Sequence, residues 1–469
     1  MAPFLRAPSS RHFCFRNSLL SLRERALVLA LFTGLLLATW VCARAVRARD
    51  TTVPSRSLRG ARLISDSTGT IPAREGQCLH LTTDLGNIEI HTQNSGKIDY
   101  RVHLEADASQ KNARQLLKDF ILHAGTAPGG VFMKGQTGQE SSGRLWVTVE
   151  VDIPQNYSLD VSTGGGNVET DDVNGRVTLF TAGGDIGTGN IGGSARLETN
   201  GGHITVKNVQ GELVAGTGGG HITAEIIGGD ASLHTGGGHI RVLSVGGSAR
   251  LVTGGGNVTL EHSGGELVAE TSGGQIEVGE ATGLVRAKTG GGGIRLVRIT
   301  GPSELKTVGG SIYLTQVDGA VKASTDAGGI TAWFVTPPKR PGPCELDASA
   351  GDIIVHLPRQ LPVTIDAQVQ MADEHRVIVD PAFPLKVSYG DSANGLRTIR
   401  AEGSLNGGGE LLRLRAMEGN IRVVVSDVDK QIQLYNQQME QLEQQLRVLR
   451  LQLRSLLSSQ EAPRSASRH

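Results

Sequence analysis

Aromatic residues make up only 4% of this chain, and cysteine occurs four times in 469 residues. So few large rings exclude a wide globular interior of the usual kind, which aromatic side chains help to fill. Cys14, Cys42, Cys78 and Cys344 are too scattered for a disulfide framework or a zinc site. Only Cys78 and Cys344 follow the long apolar segment, and they are the one pair that an oxidising compartment would leave to join. Charge of one sign is also missing, since Lys plus Arg and Asp plus Glu number 46 each. No basic excess points to nucleic acid, and no acidic block points to a disordered tail.

Glycine, by contrast, is abundant at 64 residues, and it is periodic. One threonine recurs every 18 residues, ten times without interruption, at Thr163, Thr181, Thr199, Thr217, Thr235, Thr253, Thr271, Thr289, Thr307 and Thr325. A glycine column, Gly166 through Gly328, follows three residues behind. A column of Ile or Val, Val168 through Ile330, follows two further on, and a second glycine column runs from Gly175 to Gly319. A fixed period of this kind marks a repeat architecture. Within one unit, Ala195, Leu197 and Thr199 alternate with polar residues, as do Ile204 and Val206. Each unit therefore reads as two short strands and two turns, and equivalent positions stack about 4.8 Å apart. The expected fold is all-β, a β-solenoid or β-helix of 18-residue coils, with no evident place for a buried catalytic pocket.

The glycine columns are expected at sharp corners with positive φ, which glycine adopts without a Cβ penalty. The column just before each Ile reads Asn167, Asp185, His203, His221, His239, Asn257, Gln275, Gly293, Ser311 and Gly329. These residue types tolerate the left-handed region, which supports the same expectation. The threonines are expected at a corner too, bonding one another or turn amides. On that reading Thr163→Val costs little.

The flanks differ from the array. Residues 1–25 are a basic N-terminal segment. Residues 26–43 are almost wholly apolar, follow Arg16, Arg23 and Arg25, and are near the short end for a membrane span. Ala43-Arg44-Ala45 also has the form of a signal cleavage site. A retained anchor is favoured over a cleaved signal peptide. Either places the rest of the chain outside the cytoplasm, in the periplasm or beyond, with a single-pass membrane location for the anchored form. Residues 44–60 are a polar linker. Residues 61–165 read as a β-rich cap with one helix over 107–122, stopped at Gly125. The array occupies 166–358, interrupted by the Pro-rich loop at 337–343. Residues 359–425 read as a closing cap with an echo of the repeat at Glu418-Gly419-Asn420-Ile421. From Val428 to Leu456 an apolar residue recurs at alternating spacings of four and three, an a/d heptad seam. It predicts a coiled coil over 426–460, with a homo-oligomer formed through 428–456 or, alternatively, a helix packed back on the solenoid. Residues 461–469 form a disordered tail.

Chemistry-bearing motifs are few. His203, His221 and His239 form a ladder that is a weak metal candidate, since zinc or copper accepts imidazole. No Cys or paired carboxylate lies beside them in sequence, so a solvated turn column is the favoured reading and no metal is assigned. Calcium-binding nonapeptide repeats need stacked aspartates, and acyltransferase hexapeptides need an aliphatic residue at every sixth position. Neither pattern is present. The Gly-x-Gly strings lack the strand-turn-helix context of a dinucleotide site. The outward column Glu169, Gly187, Thr205, Thr223, Arg241, Thr259, Glu277 and Arg295 is mixed in sign and shows no catalytic cluster. No catalytic residue and no cofactor are assigned.

Val151-Asp152-Ile153-Pro154 leading into Leu159-Asp160-Val161-Ser162-Thr163, followed by repeated T-x-x-G-x-I units, resembles the bacterial putative-adhesin domain family, over roughly residues 75–425. The resemblance implies a β-solenoid of unknown function, often beside a membrane segment, with no catalytic residues to carry over. The expected role is an exported, membrane-anchored, non-enzymatic structural or interaction protein, with an envelope protein or glycan as partner. The alternatives are a polysaccharide-binding or polysaccharide-active envelope protein and a self-assembling envelope scaffold.

Overall fold

The computed structural model describes residues 51–57, 60–138, 143–335, 342–371, 377–379, 384–391 and 397–426. The apolar segment 26–43, the heptad seam 428–456, the tail 461–469 and most of the Pro-rich loop lie outside these residues. Among the described residues no helix is long and apolar enough to cross a membrane.

Each coil contributes one strand to each of two long parallel sheets. The threonine sheet takes strands such as Ala195–Thr199, Leu213–Thr217 and Ala231–Thr235, and the isoleucine sheet takes Ile204–Val209, Ile222–Ile227 and Ile240–Val245. Successive strands pair in register at a spacing of 18, as Leu197 with Ala215 and Ile204 with Ile222. The alternation read in the sequence is the burial pattern. Leu197, Ile204, Leu213, Ile222 and Ile240 are fully buried between the sheets. The core is a thin slab of Ile, Val, Leu and Ala, so it needs few rings.

The corners work differently from the expectation. Along the two glycine columns only Gly166 has a left-handed φ, of +123°, and Asn406 is the only described non-glycine residue with positive φ. Close stacking is what requires glycine. A Cβ on Gly220 would lie 1.9 Å from the Gly202 carbonyl oxygen, and one on Gly238 would lie 1.9 Å from that of Gly220. By contrast, a Cβ on Gly219 would meet nothing within 4 Å.

The threonine hydroxyls bond turn backbone rather than one another. Thr235 Oγ1 accepts the Gly238 N–H at 3.1 Å and donates to the Gly220 carbonyl of the preceding coil at 2.8 Å. The same pair of bonds recurs from Thr181 through Thr307 wherever both glycines are present. Each hydroxyl is buried and fully used, so removing one leaves a buried donor and a buried acceptor unpaired. The expectation that a valine costs little is thereby corrected.

The stack also extends beyond residues 166–358, and at both ends its order departs from chain order. Cys78–Thr83 pairs with Ser158–Thr163, and Asn87–Gln93 with Val168–Thr170. The coil built from Gly130–Gln136 and Leu145–Pro154 lies outside them. At the other end Leu411–Glu418 and Ile421–Ser426 form a coil against Cys344–Ala350 and Ile353–Pro358, with Val363–Met371 outside it. The Glu418-Gly419-Asn420-Ile421 echo is thus a coil of the stack. Antiparallel strands then cover the parallel edges. Lys97–Asp107 and Gly60–Pro72 lie at one end, and Arg397–Leu405 and Lys386–Asp391 at the other. Capping of this kind protects a solenoid from edge-to-edge association. The helix expected over 107–122 is only Ala113–Asp119, because Phe120 turns extended and Ile121–Ala127 pairs as a strand with Gly130–Gln136. Gly125 lies inside that strand rather than at a helix end.

Candidate functional site

The isoleucine sheet is notched near one end. Asn87–Gln93 and Ile204–Val209 are long strands, but the two between them, Val168–Thr170 and Ile186–Thr188, have three residues each. The sequence cause is visible in the columns. Thr170 and Thr188 stand at the inward position that Val206, Ala224, Val242 and Leu260 occupy in later coils. Next come Asp171-Asp172 and Gly189-Asn190, where the strands end and side chains bond from coil to coil. Asp172 Oδ1 accepts the Asn190 N–H at 2.7 Å, and its Oδ2 accepts from Asn190 Nδ2 at 2.9 Å.

The result is an open cleft of about 690 Å³. His91 and Gln93 form one wall, Thr205 and Lys207 the other, and Asp171, Asp172, Thr188 and Gly189 lie between. Four carboxylates line it, from Glu89, Glu169, Asp171 and Asp172. Asp171 Oδ2 lies 3.3 Å from His91 Nδ1. The Asn190 backbone N–H and amide hold the Asp172 carboxyl below the usual carboxylate range, and Lys207 adds to this. Glu89 and Glu169 are directly opposite each other on adjacent strands, and Glu150 lies opposite Glu89 on the other side. Glu150 faces Arg101 at 3.9 Å, while neither Glu89 nor Glu169 has a hydrogen-bond or ion-pair partner among the described residues.

This carboxylate column was missed in the sequence because it runs out of chain order, as 150, 89, 169. The break in the aliphatic column at Thr170 and Thr188 was the signal that marked it.

The histidine ladder is stacked as expected, with neighbouring ring centroids 4.9 Å apart and planes within 16°. Its chemistry is structural. His203 Nδ1 accepts the His221 N–H at 2.9 Å, His221 Nδ1 the His239 N–H at 2.9 Å, and His239 Nδ1 the Asn257 N–H at 2.8 Å. Asn167 and Asp185 accept through Oδ1 in the same column. Asn, Asp and His share an acceptor at the δ position, which explains the residue types better than left-handed backbone does. Two zinc–nitrogen bonds of about 2.0–2.1 Å span at most about 4.2 Å, less than the spacing of these parallel rings. Among the described residues no group of three or more His, Cys, Asp or Glu side chains is placed to hold a metal ion. Cys78 and Cys344 are both free and belong to coils at opposite ends of the stack, and burial pushes each thiol up to about 11.

Residues 77–300, just under half of the chain, match the family described as Toastrack DUF4097. The resemblance to an adhesin-type β-solenoid domain family of unknown function holds over that span. Two solved structures are similar to the chain. A putative cell adhesion protein from Clostridium sporogenes ATCC 15579 is 9% identical, with 77% of this chain and 100% of that one covered and a TM-score of 0.20. A putative adhesin from Bacteroides fragilis NCTC 9343 is 11% identical, with 77% and 97% covered and a TM-score of 0.18. No curated protein matches.

Proposed function

We propose that this chain is an exported, membrane-anchored, non-enzymatic interaction protein. The Toastrack solenoid presents the contact surface, segment 26–43 anchors it, and the heptad helix at 428–456 multimerises it. The observation that carries the reading is the character of the cleft. It is open and polar, and its Asp172 is shifted away from the raised pKa that a general acid needs. Elsewhere the inward positions of the array are packed with small aliphatic side chains. Repeated weak contacts along a rod gain from multimerisation by avidity.

Protease digestion of intact cells, spheroplasts and lysate tests the location. Cleavage of the array in intact cells or spheroplasts supports export, and protection in both overturns it. Sedimentation of the full chain with and without residues 428–456 tests the assembly, and an unchanged mass overturns the coiled-coil part.

A polysaccharide-binding or polysaccharide-active protein is the second reading, favoured by the four carboxylates in one cleft. Among the described residues no Phe, Tyr or Trp ring lines that cleft to stack on a sugar. Release of reducing ends from envelope polysaccharide, lost in Asp172→Asn, would establish it over the first.

A further inference from the structure

We propose that the outer edge of strand Lys386–Asp391 pairs antiparallel with the same edge of a second copy of this chain, about a two-fold axis at Ser388. This deepens the interaction reading and rests on it for the heptad helix that brings two copies together.

Lys386–Asp391 is the outermost strand of the threonine sheet at its C-terminal end. All its described pairings are to Arg397–Leu405. The N–H and C=O groups along its other side therefore have no strand beside them among the described residues. An edge of this kind is a template for another strand. Lys386 guards its start, but Val387, Ser388, Tyr389 and Gly390 carry no charge and no proline.

The side chains show where the core stops. Val387 and Tyr389 stand opposite Ala401 and Ile399, and residues directly opposite share a face of the sheet. Ala401 is fully buried and Ile399 is 9% exposed, whereas Val387 is 39% and Tyr389 80% exposed. The sheet thus runs one strand past the core. Two large apolar side chains on its core-facing side are left open to solvent.

Self-pairing answers both features. A two-fold axis perpendicular to the sheet keeps the core-facing sides together and sets one residue opposite its own copy. With Ser388 on the axis, Val387 falls opposite the second copy's Tyr389, and Tyr389 opposite its Val387. Aromatic and β-branched side chains paired in this way stabilise antiparallel strands. Lys386 falls opposite Gly390, where a Cβ would meet nothing within 4 Å, so the lysine has space. An axis at Tyr389 would instead set that ring against itself and leave Val387 without an apolar neighbour. An unrelated strand would have to supply its own matching apolar pair, whereas a second copy brings it in register.

One short strand pair is well below the area of a stable interface. The heptad helix supplies the rest, because a first contact raises the effective concentration for a second. The strand contact is isologous and closes on two copies. It therefore fixes an even number of chains in the oligomer, which a heptad seam by itself does not.

The test is Ser388→Cys in the full chain under mild oxidation. Two cysteines facing each other across the axis are within disulfide reach, so a covalent dimer on a non-reducing gel is expected. Gly390→Cys, which faces the second copy's Lys386, should give no more dimer than the wild type. Tyr389→Lys should move the association midpoint in sedimentation to at least tenfold higher concentration. Tyr313→Lys, at an exposed position on the other sheet, should leave it unchanged. The proposal is overturned by a Ser388→Cys chain that crosslinks no more than the wild type, by equal crosslinking of Gly390→Cys, by wild-type association of Tyr389→Lys, or by a trimeric mass. Deletion of 428–456 reports on the helix separately. An unchanged mass after deletion with Ser388→Cys still crosslinking removes the helix and keeps the strand contact. A lowered mass with no crosslink does the reverse.

Discussion

His203 Nδ1 accepts the backbone N–H of His221 from the next coil at 2.9 Å, so the unprotonated ring nitrogen is part of the stack's own hydrogen bonding. Protonation would place a second donor against that N–H. Burial, then the neighbouring His239 and His203, hold the His221 pKa below its ordinary value of 6.5. The unfolded chain therefore takes up the proton first as pH falls. The stability that His221 contributes is complete above about 6.5 and is lost as pH drops from there through its lower folded value. The urea midpoint should fall between pH 7.5 and pH 5, and His221→Asn should flatten that dependence, because Asn keeps an acceptor for the His239 N–H without the titration. An unchanged slope in this variant would refute the assignment.

Thr235→Val keeps the shape of the side chain and removes both of its corner bonds. The buried Gly238 N–H and Gly220 carbonyl lose their partner, so a loss of about 1–3 kcal/mol is expected. Thr235→Ser should cost less. Chemical denaturation of the two variants checks the order.

Gly220→Ala and Gly219→Ala differ by one position and should differ sharply. The first drives a methyl group to 1.9 Å from the Gly202 carbonyl oxygen, while the second meets open space. The first should lose stability at the upper end of the about 1–3 kcal/mol typical of overpacking, and the second should stay near wild type. Similar thermal midpoints for both would contradict close stacking as the reason for the column.

Glu345 lies between Lys322, at 3.7 Å, and Arg413, at 3.6 Å. Glu345→Arg puts three cations in a row and should cost on the order of 1 kcal/mol at low salt, with less lost at 1 M salt, where screening is strong. Glu345→Gln should lower the Asp347 pKa, which burial and then Glu345 push up. NMR titration of Asp347 measures that shift.

The regular part of the fold was legible residue by residue. Thr235, Gly238 and Ile240 repeat what Thr217, Gly220 and Ile222 do, and alternation within each strand separates Leu233 from His234. What misled was the physical cause assigned to the columns. Glycine, Asn and Asp are common where φ is positive, so composition alone favoured a backbone explanation. The close approach of one coil's carbonyl oxygen to the next coil's glycine Cα, and an acceptor at the δ position, became visible only when coils were stacked. Helical spacing runs past the end of the short helix because Phe120 and Ile121 continue it in sequence, while Phe120 turns extended and Ile121 starts a paired strand.

The sequence by itself determined the coil: its 18-residue length, its inward columns and its alignment on the next coil. Every one of those contacts is made between residues at one fixed separation, so periodicity carries the information. The tertiary structure alone decided the ends. Nothing periodic states that Glu89 lies between Glu150 and Glu169, or that Arg413 lies between Glu345 and Asp366. Those neighbours follow from the need to cover two open sheet edges. Covering them inserts coils out of chain order, and the opposition of Glu150, Glu89 and Glu169 is a product of that insertion.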